Sequence, residues 1–413
     1  MRILHVAAEI DPETGGVSQA VRTMINGLTN EGVHNEVVSV DAPDAPFIKT
    51  DPFTIHALGP RNGQWGYNSK LISWLVDNAA RFDVIILHGL WLYPGYALRR
   101  AMKIVRNKQS KGKQPKFFVM PHGMLDPWFQ KASTRKIKAL RNWAYWKLIE
   151  RNIIADADGL LFTCEAEQLL AREPFRPYKP KNEAVVGLGV DEPPVYTPAM
   201  RESFLKKCPD VTDAPYVLFL SRIHEKKGVD LLIDTYSQLL KSYSALESEV
   251  YAGESGTVGP EKMNLPKLVI AGPGLETPYG QKMQQQVAQQ QDLAALISFP
   301  GMLTDDAKWG AFYGCEAFIL PSHQENFGIA VVEALSCGKP VLISDQVNIW
   351  REIGTAGGGL VAADSPEGTE QMLEGWLRLS DEQKRAIEQQ TRKAYRTYFA
   401  VEPATKNLLL AIA

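Results

Sequence analysis

Short runs of apolar residues alternate along the chain with longer stretches in which apolar residues recur every three or four positions. The short runs have the length of buried strands, and the longer stretches have the period of amphipathic helices. In the first such helix the apolar positions Val21, Met24, Ile25 and Leu28 are spaced i, i+3, i+4 and i+7. This alternation predicts an α/β protein with parallel sheets.

The alternation occurs twice within the 413 residues, which predicts two domains. The strands predicted in the first half are Ile3–Ala7, Glu36–Val40, Val84–Leu87, Lys116–Met120, Gly159–Phe162 and Ala184–Val186. Those predicted in the second half are Tyr216–Leu220, Lys267–Ala271, Ile297–Phe299, Ala317–Leu320 and Val341–Ile343. A proline-rich stretch that contains Pro180, Pro193, Pro194 and Pro198 predicts a linker between the halves. We expect two Rossmann-like, doubly wound domains, residues 1–192 and 193–392, whose strand ends face a common cleft.

Two further segments depart from this alternation. Residues 242–266 are polar and rich in glycine, serine and glutamate, which predicts a surface insertion. Residues 381–413 have a helical pattern, and we expect residues 393–413 to form a helix that crosses back to the first domain.

Composition excludes several classes of protein. No apolar run approaches the roughly 20 residues that a membrane-spanning helix needs, and the apolar run at the N-terminus is too short for a secretion signal. The four cysteines, Cys164, Cys208, Cys315 and Cys337, lie far apart, which argues against a disulfide framework and against a zinc site. We expect a cytoplasmic protein.

Charge is distributed unevenly. Residues 1–190 hold 25 basic and 18 acidic residues, whereas the remainder holds 20 and 29. Basic residues are concentrated in the stretches 99–116 and 131–151, the second of which also contains Trp143, Tyr145 and Trp146. Two explanations stay open: a solvated helix surface, or a patch for anionic lipid headgroups or a lipid-linked phosphate acceptor at the inner face of the membrane. Nucleic acid is not expected, because no recognition motif accompanies the charge.

The most informative motif follows the predicted strand that ends at Leu320. A loop carries Glu325, a helix begins near Gly328, and Glu333 lies within that helix. The turn consists of Asn326, Phe327, Gly328 and Ile329. Its outward N–H groups and the helix dipole favour a bound anion. Glu325 is placed to accept hydrogen bonds from sugar hydroxyls and Glu333 from a ribose, although an ordinary loop–helix junction would look similar.

A basic loop follows the predicted strand Tyr216–Leu220. Arg222 offers a planar fork of N–H donors and Lys227 a mobile point charge, so the two are candidates for clamping a diphosphate. Fixed cations there would stabilise negative charge that builds on a bound phosphate group. Lys226 is the neighbour that we expect to be exposed.

Glycine-rich turns follow other predicted strands. Gly15 and Gly16 precede the first helix and allow close backbone approach to a phosphate. Gly272 and Gly274 form a second such turn, and residues 300–303 are a candidate contact for the nucleobase. Tight turns without a ligand have the same composition. None of these stretches is a dinucleotide-binding or Walker motif, so neither NAD nor ATP gains support.

Two histidines follow predicted strands of the first half. His122 precedes Gly123, and His88 precedes Gly89. A lone histidine of this kind is more often structural than catalytic. His88 and Asp126 are candidates for contacts with an acceptor substrate.

The two glutamates, separated by seven residues in a strand–loop–helix setting, resemble the EX7E motif of retaining glycosyltransferase family 4. Arg222 with Lys227-Gly228, the Gly15-Gly16 turn, the Gly272 loop and His122-Gly123 resemble other elements of that family. The resemblance implies a GT-B fold, a nucleotide-diphosphate sugar donor, retention of anomeric configuration, and neither a catalytic metal nor another cofactor. It implies catalytic roles for Arg222, Lys227, Glu325 and His122, with His122 next to the donor sugar.

The remaining candidates would bind the donor: Gly15, Gly16, Gly272, Gly274, Asn326, Phe327, Gly328, Ile329 and Glu333. One departure concerns residues 187–191, Gly-Leu-Gly-Val-Asp, where the family usually has Pro-Asn-Gly-Val-Asp. Losing the asparagine puts an acceptor-side role of that turn in doubt.

We therefore expect transfer of a hexose-type sugar to a glycan or lipid-linked acceptor, in polysaccharide or glycolipid biosynthesis. A sugar-nucleotide epimerase or hydrolase, and a non-catalytic nucleotide-sugar-binding subunit, are the alternatives. The sequence identifies neither the base and sugar of the donor, nor the acceptor and linkage, nor the oligomeric state.

Overall fold

A computed structural model of the chain describes residues 1–12, 15–108, 114–131, 136–252 and 265–413, without the side chains of residues 108, 136 and 244–252. The chain forms two compact units. The first contains Met1–Asp191 and Tyr398–Ala413, and the second contains Glu192–Thr397.

The first unit is built on a parallel sheet of seven strands in the order β3-β2-β1-β4-β5-β6-β7. The strands are β1 Arg2–Val6, β2 His34–Ser39, β3 Thr54–Ala57, β4 Val84–His88, β5 Lys116–Met120, β6 Gly159–Phe162 and β7 Glu183–Val185. The helices are α1 Gly16–Asn30, α2 Leu71–Asn78, α3 Tyr93–Lys108, α4 Trp128–Lys131, α5 Lys136–Tyr145, α6 Arg151–Asp156 and α7 Glu165–Ala171. The strand order reverses between β1 and β4, which is where open α/β sheets bind ligands.

Alternation of side chains along the strands creates two apolar layers in this unit. Leu4, Ile85 and Val119 belong to the larger core, which packs against α2, α3 and α6. Ile3 and Ile86, which point to the opposite face, belong to the smaller core, which also contains Leu28 of α1. Parallel strands that are covered on both faces consist of nearly continuous apolar residues, and for this reason the central strands could be predicted from the sequence.

The second unit repeats the architecture with six parallel strands in the order β10-β9-β8-β11-β12-β13. The strands are β8 Tyr216–Leu220, β9 Lys267–Ala271, β10 Ile297–Gly301, β11 Ala317–Leu320, β12 Val341–Ser344 and β13 Gly359–Ala362. The helices are α8 Pro198–Lys207, α9 Val229–Ala252, α10 Pro278–Ala288, α11 Gln291–Leu296, α12 Asp305–Gly314, α13 Ile329–Ser336, α14 Trp350–Ala356, α15 Pro366–Leu377 and α16 Asp381–Ala394. Here the order reverses between β8 and β11.

A last helix, α17 (Val401–Ile412), packs against α1 within the first unit. Leu408 and Ile412 of α17 are buried in the smaller core of that unit. The close packing depends on Gly27 of α1, where a Cβ atom would lie 2.2 Å from Thr405 Oγ1.

The fold class is confirmed, and three details differ from the sequence-based expectation. Strands β3 and β13 were not predicted. The proposed insertion at residues 242–266 is wrong up to Ala252, because α9 continues that far; residues 253–264 lie outside the described part of the chain. Several basic residues of the 99–116 stretch are held in internal ion pairs, including Arg99 with Asp156 at 2.6 Å and Arg106 with Asp158 at 3.0 Å.

All four cysteines are buried free thiols. Among the described residues, no helix is long and apolar enough to span a membrane. Over the same residues, no group of three or more histidine, cysteine, aspartate or glutamate side chains is arranged to hold a metal ion.

Candidate active site

The second unit brings together two of the predicted catalytic residues at the point where its strand order reverses. Lys227 ends a single 3-10 turn, Glu225–Lys227, after β8, and Glu325 lies in the loop after the neighbouring strand β11. The Lys227 ammonium donates a hydrogen bond to Glu325 Oε2. The lysine is buried, whereas the glutamate is partly exposed. This arrangement, the Lys227–Glu325 pair, presents a partly desolvated ion pair at the carboxyl edge of the sheet.

Backbone contacts fix the position of Glu325 from several sides. Its N–H donates to the Gln346 carbonyl, and its own carbonyl accepts from the Asn348 N–H, both at 2.9 Å. Glu325 Oε1 accepts a hydrogen bond of 3.1 Å from the Asn326 N–H. The loop after β11 is thus tied to the loop after β12, so the carboxylate is oriented before any ligand arrives.

The loop that carries Lys227 packs tightly against the loop that carries Glu325. Gly228 has a φ of 69°, and a Cβ atom there would lie 2.0 Å from the Pro321 carbonyl oxygen. Ser322 and His323 donate hydrogen bonds of 2.9 Å to the Lys226 carbonyl, from Oγ and N–H respectively. Lys226 is half-buried rather than exposed as expected, since its backbone forms part of this contact.

Arg222, in contrast, lies exposed in the loop after β8. Within the described part of the chain it makes no hydrogen bond or ion pair, so its five N–H donors are available to a ligand. Gly272 and Gly274 lie beside this loop, with φ values of 142° and 110°. A Cβ atom at Gly272 would meet the Ser221 carbonyl oxygen at 1.9 Å, so at this position the glycine is explained by packing.

Helix α13 begins directly after the predicted turn. Gly328 is its N-cap with a φ of 76°, and no side chain caps the first turn. Phe327 is buried, whereas Asn326 and Ile329 are half-buried. An uncapped helix N-terminus leaves backbone N–H groups available for an anion.

Glu333 of α13 forms an ion pair of 2.6 Å with Lys308 of α12. Lys308 also lies 4.5 Å from the centre of the Trp309 ring. Sequence analysis did not single out Lys308, because it has no motif around it. A second ion pair that it missed joins His323 to Asp364 at 2.7 Å, and this hydrogen bond raises the pKa of His323.

In the first unit, His122 and His88 lie at the carboxyl ends of adjacent strands, and His88 Nδ1 is 3.0 Å from His122 Nε2. His88 is buried, and its Nε2 is 3.0 Å from Nδ1 of His5 on β1. Both ring nitrogens of His88 are therefore engaged within the unit, which argues against the predicted contact with an acceptor. His5 was overlooked because it stands inside an apolar strand pattern.

Two buried carboxylates organise the loops around these histidines. Glu167 accepts hydrogen bonds from the N–H groups of Gly123, at 2.5 Å, and Thr163, at 2.7 Å. Glu150 accepts one of 2.6 Å from the Trp91 N–H. Burial raises the pKa of Glu150 to about 8, although the hydrogen bond from Trp91 opposes this shift.

Asp126, Gly15 and Gly16 are the other residues of this unit that the sequence predicted to contact a substrate. Asp126 is buried, and its Oδ1 accepts a hydrogen bond of 2.8 Å from the Trp128 N–H at the start of α4. Gly15 and Gly16 are exposed at the uncapped N-terminus of α1, where Gly15 has a φ of 103°. Among the described residues nothing lies within 4 Å of a Cβ atom at Gly15, so contacts within that part of the chain do not explain this glycine.

Comparisons with known proteins match both halves of the chain. Residues 15–189 match the family described as "Glycosyl transferase 4-like domain", and residues 200–393 match "Glycosyl transferases group 1". D-inositol 3-phosphate glycosyltransferase of Geodermatophilus obscurus is 28% identical over 195 residues, which are 47% of this chain and 39% of the relative. The enzyme of the same name from Actinosynnema mirum is 27% identical over 198 residues, 47% of this chain and 42% of the relative. The chain thus matches about two fifths of the length of these relatives.

Two solved structures have the same fold along the whole chain. HepE from Anabaena, in complex with UDP and glucose, is 17% identical with a TM-score of 0.70, covering 100% of this chain and 99% of that one. A glycosyltransferase from Rickettsia africae is 15% identical with a TM-score of 0.72, covering 100% and 97%. With both sheets in Rossmann order and each half matched by a glycosyltransferase family model, the chain has the GT-B fold and belongs to the family-4 type of glycosyltransferases.

Proposed function

We propose that the chain transfers a hexose from a nucleoside-diphosphate sugar to a hydroxyl of a glycan or lipid-linked acceptor, with retention of anomeric configuration. The observation that carries the proposal is the Lys227–Glu325 pair at the strand-order reversal of the second unit. In this pair the buried Lys227 ammonium can bind a phosphate, and the Glu325 carboxylate can accept hydrogen bonds from sugar hydroxyls. HepE, whose fold this chain has, was solved with UDP and glucose and also with UDP-glucose, which supports a donor of this class.

In this proposal Arg222 and Lys227 bind the diphosphate, because they place an exposed guanidinium and a buried ammonium in the segment that follows β8. The N–H groups at the start of α13 bind a phosphate oxygen in the same way. Glu325 accepts hydrogen bonds from the hexose and Glu333 from the ribose. Gly15, Gly16 and His122 of the first unit keep the roles that the family resemblance implies.

The chemical step needs no protein nucleophile. The bond between the anomeric carbon and the diphosphate oxygen breaks, and the acceptor oxygen bonds to the same face of that carbon. The acceptor proton passes to an oxygen of the departing diphosphate. Arg222, Lys227 and the N–H groups of α13 stabilise the negative charge on that leaving group. No residue is required as a general base, and no metal ion is required to neutralise the leaving group, so metal-independent transfer is part of the proposal.

The stereochemistry can be tested without knowing the acceptor, by using methanol as a surrogate. With UDP-α-glucose as donor, or GDP-mannose or ADP-glucose if UDP-glucose is not turned over, retention gives the methyl α-glycoside, whose configuration does not change in water. A methyl β-glycoside would overturn the retaining mechanism. Rapid formation of an epimer or of free sugar without acceptor would instead favour the epimerase or hydrolase.

The role of the Lys227–Glu325 pair can be tested by three variants. Glu325→Gln should lower turnover at least about 100-fold, the size expected when a group that contacts the transition state is lost. Lys227→Met/Glu325→Gln removes both charges and leaves neither unpaired, so it should fold normally and still be inactive. Lys226→Ala, at the neighbouring lysine, should turn over like the wild type. Full activity of the double variant would remove the pair from the mechanism.

We propose in addition that helix α5 docks on an anionic membrane, which fits a lipid-linked acceptor. Four large apolar side chains on α5 and the π-helical turn that follows it are exposed: Ile137 by 88%, Leu140 by 68%, Trp143 by 53% and Leu148 by 74%. We call these four residues the exposed apolar face. Exposed basic residues lie among them, including Lys138 and Arg141, and the Lys147 ammonium is 5.6 Å from the Trp143 ring centre. Apolar side chains between cations match the headgroup region of an anionic bilayer.

Vesicle sedimentation tests this docking. The chain should bind vesicles that contain phosphatidylglycerol and should bind neutral phosphatidylcholine vesicles much more weakly. Ile137→Glu/Leu140→Glu should abolish binding, whereas Leu410→Glu, at an apolar residue of α17 that is equally exposed, should leave it unchanged. Equal binding of wild type and double variant, or no binding to phosphatidylglycerol at low salt, would contradict the proposal.

A further inference from the structure

Three histidines from three neighbouring strands form one continuous row of hydrogen bonds in the first unit. His5 Nδ1 lies 3.0 Å from His88 Nε2, and His88 Nδ1 lies 3.0 Å from His122 Nε2. Successive rings are stacked at 5.3 Å between centres. At the inner end, His5 Nε2 lies 3.2 Å from Asn35 Oδ1 on β2. We call this row the histidine chain; it begins in the core and ends at the half-buried His122.

The Val33 backbone carbonyl fixes the orientation of the Asn35 amide, and that orientation sets the donor and the acceptor of every hydrogen bond in the histidine chain. Asn35 Nδ2 donates to the Val33 carbonyl at 2.9 Å and to Thr29 Oγ1 at 3.2 Å. A flipped amide would bring two acceptors together, so Asn35 Oδ1 faces His5. Because that oxygen only accepts, the proton of a neutral His5 is on Nε2, and Nδ1 is bare.

The same logic passes outward along the row. The bare Nδ1 of His5 accepts from Nε2–H of His88, which leaves Nδ1 of His88 bare. That atom accepts from Nε2–H of His122, and Nδ1 of His122 is left with a lone pair. Among the described residues this last nitrogen has no hydrogen-bond partner, and the His122 residue is half-buried.

All three rings are neutral near pH 7. Burial lowers the pKa of both His5 and His122 to about 4, and burial together with the neighbouring histidines lowers the pKa of His88 well below its usual value. Backbone geometry restricts the outer ring as well. His122 has a φ of 51°, which is uncommon for a side chain of this size, and the next N–H, that of Gly123, is held by Glu167.

We propose that Asn35, His5 and His88 are positioning residues that hold His122 as the Nε2–H tautomer, so that its Nδ1 accepts a hydrogen bond from a ligand hydroxyl. A neutral ring in this state offers no donor to a phosphate oxygen, so the histidine chain selects a hydroxyl-bearing ligand at His122. The proposed function identifies that ligand as a sugar, and the inference rests on it for this identity alone. The histidine chain does not conduct protons through the unit, because the amide of Asn35 at its inner end is not basic and cannot receive a proton.

The tautomers can be measured directly in the free protein. With 15N-labelled histidine, long-range proton–nitrogen NMR spectra separate bare from protonated ring nitrogens, and the three rings are assigned with single His5→Leu, His88→Leu and His122→Leu variants. At pH 7 each ring should have a protonated Nε2 and a bare Nδ1, and nitrogen–nitrogen coupling should cross both inter-ring hydrogen bonds. A proton on Nδ1 of any of the three, or a doubly protonated ring, would overturn the inference.

A kinetic comparison tests the positioning role. His5 is fully buried, and the ring of His88 lies between it and His122. The substitution His5→Leu can therefore affect the ligand only through the histidine chain. We expect its kcat with UDP-glucose and methanol to fall about tenfold, the effect of one weakened hydrogen bond, while its affinity for UDP stays unchanged. His56→Leu, at a histidine on β3 that binds Glu36, is the matched control and should behave like the wild type.

The outcomes separate this inference from the proposed function. Wild-type kcat in His5→Leu would overturn the positioning role even if the tautomers are as expected. A wild-type protein that transfers no sugar from any nucleotide would instead contradict the proposed function, and the NMR spectra would still decide the state of His122. Loss of UDP affinity in His5→Leu would indicate a general structural defect and would also count against the inference.

Discussion

Gly228 lies where the loop of Lys227 packs against the loop of Glu325. Gly228→Ala combines a left-handed φ with a Cβ atom 2.0 Å from the Pro321 carbonyl oxygen. Gly301→Ala is a matched control, since Gly301 has a φ of 77° and no atom of the residues that the structure describes lies within 4 Å of its Cβ position. We expect Gly301→Ala to lower the free energy of unfolding by about 1 kcal/mol and Gly228→Ala by at least about 2 kcal/mol more. Urea unfolding measures both, and equal losses would mean that the loops relax apart without cost.

Glu150 makes the stability of the first unit depend on pH. Its pKa is raised from 4.5 to about 8, so between these values the folded chain binds more protons than the unfolded chain. Stability contributed at this site is therefore greatest below pH 4.5 and falls as pH rises towards 8, by up to about 1.4 kcal/mol per pH unit. Glu150→Gln keeps an acceptor for the Trp91 N–H and removes the titration. The variant should be more stable than the wild type at pH 8 and lose this advantage near pH 5, as urea unfolding at the two values would detect.

The sequence predicted individual functional residues more readily than the ion pairs and hydrogen bonds that they form with one another. Lys227 and Glu325 were both identified from local motifs, but they are 98 residues apart in sequence, and only the adjacency of β8 and β11 joins them. The pairing of Glu333 with Lys308 was not predictable for the same reason. His5 was missed because a histidine inside an apolar strand gives no local signal, and its partner lies 83 residues away.

At the scale of elements, α17 supplies part of the first unit's core although it is distant in sequence. Leu408 is 2% exposed within that core, and Leu410, two residues further, is 79% exposed. Leu408→Ala should lower the free energy of unfolding by about 2–5 kcal/mol, because it leaves a cavity between α17 and the sheet. Leu410→Ala should change it by less than about 0.5 kcal/mol. Similar values for the two variants would mean that α17 is not held in place in solution.

The strands that sequence analysis missed lie at the edges of the two sheets. β3 (Thr54–Ala57) and β13 (Gly359–Ala362) are edge strands of four residues, and all but one of their residues are half-buried. Central strands are covered on both faces and therefore have continuous apolar runs. β3 contains Thr54 and His56, which interrupt such a run, and β13 is apolar but begins with Gly359 directly after Gly357 and Gly358, so it resembles a glycine-rich turn. The part of α9 beyond Ser242 was misread for a different reason: its many serine and glutamate residues obscure the apolar period of the helix.

For the molecule as a whole, the pattern of apolar residues and the sheet topology predict the functional residues better than the composition does. Both sheets follow the Rossmann order, and the strand ends that carry motifs lie at the point of reversal or one strand away from it. This is why Arg222, Lys227 and Glu325 of the second unit, and His88 and His122 of the first, could be selected from sequence. The uneven charge was less informative, since ion pairs with Asp156 and Asp158 account for part of the 99–116 stretch.

Nucleotide binding should be visible as stabilisation of the intact chain. UDP, GDP and ADP share the diphosphate that Arg222 and Lys227 would bind, and differ in the base, so one of them should raise the melting temperature more than the others. At about 100 times its dissociation constant, that nucleotide adds roughly 2.7 kcal/mol to the stability of the state that binds it. Arg222→Ala should need at least about tenfold more nucleotide for the same shift, since a charge-assisted hydrogen bond contributes about 1.5–3 kcal/mol, whereas Lys226→Ala should match the wild type. An unchanged Arg222→Ala would remove Arg222 from the diphosphate site, and no shift with any nucleotide would mean that the free chain does not bind the donor.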